Sequence, residues 1–211
     1  RDGDGVALGH HELQHRHLGG GVLHGDAVGV EVGVAHPAVE TAGLGVAQVV
    51  GEHLLGERER AAQAGATGGD PVAGFDYGNS PSALARADLA GRSVVISTAA
   101  GVRGLHLFRQ ARHLFAASLV CARATAEAIR AAGGEDVCFV ITGEWDDRDG
   151  DEDVACADYI ESLLRGEPVA PEAFMQRVRR SDFGRRFSTG DWPSLPVSDL
   201  DMAAQVDVFD F

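Results

Sequence analysis

Between Ser93 and Arg165, β-branched runs alternate with helical patterns, and this alternation constrains the fold more than any other feature of the chain. SVVIST (93–98) has the β-branched content of a buried strand. It feeds AAGVRG and then LHLFRQA, which reads as helical. HLFAAS (113–118) reads as the next strand. Residues 123–132 read as a helix, with Ala126, Ile129 and Arg130 at helical spacing and Gly133-Gly134 ending it. DVCFVIT (136–142) is continuously apolar, as a central parallel strand is. A helix from Val154 to Arg165 would place Val154, Ala157, Ile160 and Leu164 on one face. The expected fold class is α/β, with a mixed, mostly parallel sheet and flanking helices.

The last strand and helix of that series are joined by an acidic loop. Between Glu144 and Asp153 there are seven carboxylates and one Arg. A strand that turns through acids into a helix start is where α/β enzymes tend to hold a metal or a phosphate. Mg²⁺ takes one or two carboxylates and fills its shell with water and substrate oxygens. Glu152 and Asp153, at the rigid start of the helix, are the candidate metal pair. The acids from Glu144 to Asp151 read mostly as a mobile polar loop, or as favourable charge on the helix dipole. A calcium-binding EF-hand loop is disfavoured, because aligning Gly150 on its turn glycine puts Trp145 and Cys156 at ligand positions. Cys156 reads as a small buried residue.

Two other stretches could carry chemistry. In ISTAAGVRG, Thr98 and Gly101 lie between a strand and a helix, where backbone N–H groups can face an anion. Arg103 could fork onto phosphate or sulfonate oxygens, or could be an ordinary surface arginine. In GFDYGNSP (74–81), turn and cap chemistry accounts for Asn79, Ser80 and Pro81, ahead of a helix PSALARADL stopped by Gly91. Asp76 is left over. Between Leu54 and this turn lie Glu57-Arg58 and a Gly-rich connector, 65–71.

Composition narrows the partners. A formal charge of −14 argues against nucleic acid and anionic membrane, both of which need basic surface. No apolar run is long enough to span a membrane and no signal peptide is visible, which points to the cytoplasm. Three cysteines in hydrophobic settings favour free thiols. Every basic residue is Arg, which reads as coding bias. The start at Arg1 rather than Met is read as that of a fragment.

Residues 1–53 differ in texture and form a separate segment from 54–211. They contain no Ser, Ile, Phe, Tyr, Asn or Cys, and hold seven of the nine histidines. His10, His11, His15 and His17 have no flanking Cys or acid pattern that would define a metal site. Residues 27–34 alternate and could pair as a strand. The segment as a whole reads as disordered, or as the product of a shifted reading frame. At the other end, PEAFMQRVRRS reads as a helix, Ser198 or Asp199 could cap a short helix through Gln205, and VDVFDF could form a final edge strand.

LLGER, GFDYGNSP, STAAGVRG, LVCARATAEAI, VCFVITG and EDVACADYI occur in an order that resembles the 2-phosphosulfolactate phosphatase family. The tail from Ser181-Asp182-Phe183-Gly184-Arg185-Arg186 through Asp199-Leu200 to Val206-Asp207-Val208 is also similar to it. The resemblance covers about Leu54 to Phe211. It implies an Mg²⁺-dependent α/β phosphatase that converts 2-phospho-3-sulfolactate to 3-sulfolactate and phosphate, a step of coenzyme M synthesis in methanogens. By position, Glu152 and Asp153 would be the acidic pair near Mg²⁺, with Cys156 beside them. Arg58, Asp76, Asn79, Ser80, Gly101 and Arg103 fall in the other motifs. On physical grounds Asp76 would act as base or second metal ligand. Arg58, Asn79, Ser80, Thr98, Gly101 and Arg103 would bind substrate.

Three departures stand out. The family opens on a hydrophobic strand leading into an Asp-Val-Leu-Arg-like segment, and 1–53 contain nothing like it. Ala100 stands where Asn is more common, and the acidic loop is long. The partner implied is a small anionic phosphoester, with room for a homo-oligomer. The rival reading is an inactive or truncated homologue that serves as a binding or structural protein.

Overall fold

The computed structural model describes residues 14–18, 28–32, 62–67, 70–98, 101–133, 136–145 and 148–210. In chain order these form β1 (Gln14–Leu18), β2 (Val28–Val32), β3 (Ala62–Thr67), β4 (Asp70–Pro71), α1 (Pro81–Leu84), β5 (Val94–Ser97), α2 (Gly101–Leu107) and β6 (His113–Ala117). A 3₁₀ turn, Leu119–Cys121, leads into α3 (Ala122–Ala132) and β7 (Val137–Ile141). The hairpin β8 (Glu144–Trp145) and β9 (Arg148–Asp149) precedes α4 (Asp151–Arg165), α5 (Pro171–Arg180), α6 (Asp182–Thr189) and α7 (Val197–Ala203).

The main sheet has the order β1-β7-β2-β6. β2 is parallel to both its neighbours, and β1 closes the β7 edge antiparallel, so the sheet is mixed as expected. The alternating stretch at 27–34 supplies β2. Val32 lies opposite both Ala117 and Ile141, so the chain leaves β6 and β7 at the same level of the sheet. The two residues that follow, Ser118 and Thr142, are both buried. The expectation that 1–53 lack the family's opening segment falls mostly on residues outside those described. A second sheet has the order β4-β3-β5, with β3 and β5 parallel.

The larger core lies where α3 and α4 cover the main sheet. Phe139, Tyr159 and Ile160 have no exposed surface, and Leu200, Ala204 and Val178 close over them from the C-terminal helices. Burying side chains of this size stabilises by about 1.5–3 kcal/mol each. β7 is buried along its whole length, which explains its unbroken apolar sequence. The smaller core joins Ala62, Ala64, Leu84 and Leu89.

Four sequence readings are corrected. The buried stripe of α4 is Glu152, Ala155, Cys156, Tyr159, Ile160 and Leu163. Ala157 is also buried, while Val154 and Leu164 sit at the margins. The helix start lies at Asp151 rather than Val154 and carries Glu152 and Asp153 inward, while Val154, Ala157, Ile160 and Leu164 all pack into the larger core as expected. The connector expected at 65–71 is largely strand. Gly65 sits within β3 because a Cβ there would lie 2.7 Å from the Ser97 carbonyl oxygen of β5. The helix expected through Leu89 stops at Leu84. Beyond it, Arg86 and Ala87 donate to the carbonyls three residues back, and the chain turns so that Leu84 and Leu89 both reach the small core. Residues 206–210 of the closing VDVFDF form no strand. Asp207 adopts φ 53°, and the N–H groups of Val208 and Phe209 both donate to the Val120 carbonyl, at 2.7 and 3.0 Å.

Candidate functional site

At the end of β7 the acidic stretch resolves into three parts with different duties. Glu144–Trp145 and Arg148–Asp149 pair as a hairpin, which corrects the expectation of a mobile loop for those residues; 146–147 lie outside the described residues. Asp149 is tied across to α6: its Oδ1 accepts the Asp151 N–H at 3.1 Å and the Asp182 N–H at 3.3 Å. Gly150 then takes the left-handed conformation, φ 63°, as the residue before α4. Asp151 faces α5, where Arg177 bonds both Asp151 and, at 2.7 Å, Asp158. These two carboxylates raise the Arg177 pKa against the opposing effect of burial.

Glu152 and Asp153 turn the other way, into the protein. They are 6% and 3% exposed, which separates them from the solvated acids around them. Asp153 Oδ2 accepts the Gly143 N–H at 2.6 Å and the Thr142 N–H at 3.2 Å, so the first turn of α4 is bonded to the chain leaving β7. A Cβ on Gly143 would lie 2.8 Å from that oxygen and 3.0 Å from Glu152 Oε1. The two carboxylates therefore converge on one point beside the Gly143 Cα. Two converging buried carboxylates at a helix start fit the donor chemistry of Mg²⁺, which needs only one or two of them. Among the described residues no group of three or more His, Cys, Asp or Glu side chains could hold a metal by itself. Cys156 is buried one turn further on and is a free thiol, as are Cys121 and Cys138. Burial pushes the Cys138 thiol up.

The GFDYGNSP turn is a separate construction. Asp76 is exposed, and its Oδ2 accepts the Gln63 N–H at 2.9 Å, which holds the turn against β3. Ser80 caps α1 by accepting the Ala83 N–H at 3.2 Å, the cap the sequence leads one to expect. The Ser80 hydroxyl donates to Asp199 Oδ1 at 2.9 Å, and the Ser82 N–H reaches the same oxygen at 2.9 Å. Ser198 donates to Ser82 Oγ at 2.9 Å. Asn79, half-buried, precedes this cluster. Asp199, on α7, is 2% exposed. It is a buried member of α7 rather than its cap, since Pro196 occupies that position.

Thr98 follows β5 and is half-buried; Gly101 opens α2, and Arg103 lies within that helix. Arg58 lies outside the described residues. The structure thus brings Glu152 and Asp153 together beside Gly143, and brings Ser80 to Asp199.

The sequence reading missed two long-range anchors. One is Asp199 beneath Ser80. The other is Asp207, whose Oδ1 accepts the Arg123 N–H at the start of α3 at 2.8 Å and whose Oδ2 accepts the Tyr159 hydroxyl at 2.7 Å. The Arg123 guanidinium lies 3.1 Å from the same Oδ2. Burial and the Asp207 carboxylate together push the Tyr159 phenol up to about 12. Neither anchor has a local signature, since the partners lie 119 and 84 residues apart.

The sequence model of the 2-phosphosulpholactate phosphatase family matches residues 50–183. A protein of Deinococcus radiodurans named "Probable 2-phosphosulfolactate phosphatase" is 38% identical over 177 residues, covering 78% of this chain and 70% of that protein. Proteins of the same name from Bacillus subtilis and Thermus thermophilus are 29% and 37% identical, over 61% and 56% of this chain. The chain spans 56% and 52% of the lengths of those two relatives. Among the described residues no helix is long and apolar enough to cross a membrane.

Proposed function

The chain belongs to the 2-phosphosulpholactate phosphatase family, and we propose that it hydrolyses a small anionic phosphate monoester in the cytoplasm. Its substrate in this reading is 2-phospho-3-sulfolactate or a close analogue, and the products are 3-sulfolactate and phosphate. The observation that carries the reading is the buried, converging pair Glu152 and Asp153 at the end of β7, inside the matched region.

Glu152 and Asp153 would hold Mg²⁺, which when bound neutralises phosphoryl oxygens and orients the group. Asp153 divides its duty, because one of its oxygens fixes the turn after β7. Glu152 is therefore the cleaner probe of chemistry. Asp76 would position the attacking water and take its proton as the water oxygen bonds to phosphorus and the P–O bond to the ester oxygen breaks, the departing oxygen taking a proton from solvent. Asn79, Thr98 and the Gly101 amide would contact phosphate or sulfonate oxygens, with Arg58 and Arg103 supplying charge; Ser80, whose hydroxyl donates to Asp199, would serve the substrate by shaping the turn.

The test is release of inorganic phosphate from 2-phospho-3-sulfolactate and from a panel of simple phosphomonoesters. Release is expected in Mg²⁺, lost in EDTA and restored by added Mg²⁺. Glu152→Gln is expected to lose turnover by on the order of 100-fold or more with an unchanged melting temperature. Wild-type turnover in that variant, or EDTA-insensitive release, would overturn the assignment.

A further inference from the structure

The first turn of α4 is held from two sides. From within, Asp153 Oδ2 accepts the Thr142 and Gly143 N–H groups. From without, Arg177 of α5 forks onto Asp151: its Nη2 donates to Oδ1 at 2.5 Å and its Nε to Oδ2 at 3.4 Å. The Arg177 Nη1 donates to Asp158 Oδ2 at 2.7 Å. Asp151 and Asp158 lie about two turns apart and share one face of the helix. The hairpin before α4 is tied to α6, since the Asp149 N–H donates to Asp182 Oδ2 at 3.2 Å and the Asp182 N–H to Asp149 Oδ1 at 3.3 Å. Gly150, between hairpin and helix, supplies no side-chain cap.

The turn so held carries Glu152 and Asp153, both more than nine-tenths buried and converging beside Gly143. Glu152 has contacts of its own, but among the described residues no hydrogen bond reaches its buried Oε2, an oxygen that a bound cation would satisfy. A helix with its side chains is about 10–12 Å across, so a roll of about 20° carries a carboxylate about 2 Å. A shift of that size is enough to spoil a two-carboxylate site.

We propose that Arg177 is a positioning residue for this pair: by gripping Asp151 and Asp158 it fixes the roll of α4, and with it the place at which Glu152 meets Mg²⁺. The proposal rests on the Mg²⁺ reading of the pair and goes beyond it by giving α5 a part in setting the metal site. An arginine suits the task because its planar fork holds two carboxylates in a fixed geometry, which the single ammonium of a lysine does not. Charge alone gives the opposite expectation. Without Arg177, Asp151 and Asp158 would add uncompensated negative charge near the pair and tighten a divalent cation there. Weaker binding in a variant therefore reports geometry.

The test compares Arg177→Ala, Arg177→Lys and Arg179→Ala in the full chain. Arg179→Ala is the control, since it breaks an ion pair of the same helix with Asp201 rather than with α4. Three readouts are used: titration calorimetry of Mg²⁺ alone into metal-free protein, hydrogen exchange of the Asp151, Asp153 and Val154 amides, and kcat against KM for whichever phosphomonoester the wild-type protein hydrolyses. Arg177→Ala is expected to weaken Mg²⁺ binding on the order of tenfold, to speed exchange of those amides and to lower kcat on the order of tenfold, with a smaller change in KM. Arg177→Lys, which keeps the charge and loses the fork, is expected to fall between Arg177→Ala and wild type. Arg179→Ala is expected to match wild type in Mg²⁺ affinity and kcat.

Wild-type Mg²⁺ affinity in Arg177→Ala, or in Arg177→Lys if Arg177→Ala does not fold, would overturn the proposal and leave the metal reading intact. Tighter Mg²⁺ binding would overturn it in favour of a purely electrostatic effect. An equal loss in Arg179→Ala would overturn it too, as general loosening of α5. A wild-type protein that binds no Mg²⁺ would overturn the metal reading itself, and the proposal with it.

Discussion

Asp153 and Gly143 are joined by a 2.6 Å hydrogen bond from the glycine N–H to Oδ2, across the mouth of the turn that leaves β7. The same glycine has no side chain to spare: a Cβ would enter the space that Asp153 Oδ2 and Glu152 Oε1 share. Gly143→Ala is expected to push both buried carboxylates from their places. Phosphate release should fall by on the order of 100-fold, because small misplacements at a reacting centre are amplified in rate. Steady-state kinetics beside a melting curve would check this; a variant with wild-type kcat would show that the pair has no part in turnover.

Asp153→Ala tests the structural half of that carboxylate. It leaves the Thr142 and Gly143 N–H groups without this acceptor, one buried and one half-buried. The expected loss is about 1–3 kcal/mol of stability, read by urea unfolding. Glu152→Gln should lose far less stability, so the two variants separate anchoring from chemistry.

Tyr159→Phe removes the hydroxyl that bonds Asp207 at 2.7 Å. The folded phenol titrates at about 12, above its ordinary 10. Between those values the folded state keeps a proton that the unfolded state has lost. The Tyr159 contribution is therefore fully present below pH 10 and is lost as pH rises toward 12. Alkaline unfolding of the wild-type protein should show this loss, and Tyr159→Phe should start about 1 kcal/mol lower at neutral pH and lack it.

Gly184 lets α6 lie against the end of α5. A Cβ there would be 2.1 Å from the Val178 carbonyl oxygen, and backbone cannot yield as a side-chain tip can. Gly184→Ala is expected to cost on the order of 3 kcal/mol. Ser181→Ala, which removes the hydroxyl that accepts the Gly184 N–H and donates to the Val178 carbonyl, each at 3.0 Å, should cost about 1–2 kcal/mol. Thermal melts of the two variants give the comparison.

The alternating fold was legible because its signals are local. The β-branched run at β5, the apolar run at β7 and the glycine after α3 each act within a few residues. The burial of Glu152 and Asp153 was half legible: their place at a helix start could be read, but not that Asp153 would spend one oxygen on two backbone donors. Strand β3 was hidden because its glycine resembles a connector until Ser97 is seen against it. The closing VDVFDF resembled a strand because alternation alone cannot reveal that Asp207 would turn left-handed and cap α3. Asp199 was hidden for the same reason: its partner is not a neighbour in sequence.

The distance between Ser80 and Asp199 also sets an order of events at the ribosome. The turn that precedes α1 emerges early, but the carboxylate that holds it is synthesised 119 residues later. At typical elongation rates of 5–20 residues per second, that is a wait of roughly 6–24 s. The start of α3 likewise waits for Asp207. The scaffold of the main sheet can therefore assemble while translation continues, but the two turns that these acids anchor must wait until α7 and the stretch after it have left the exit tunnel.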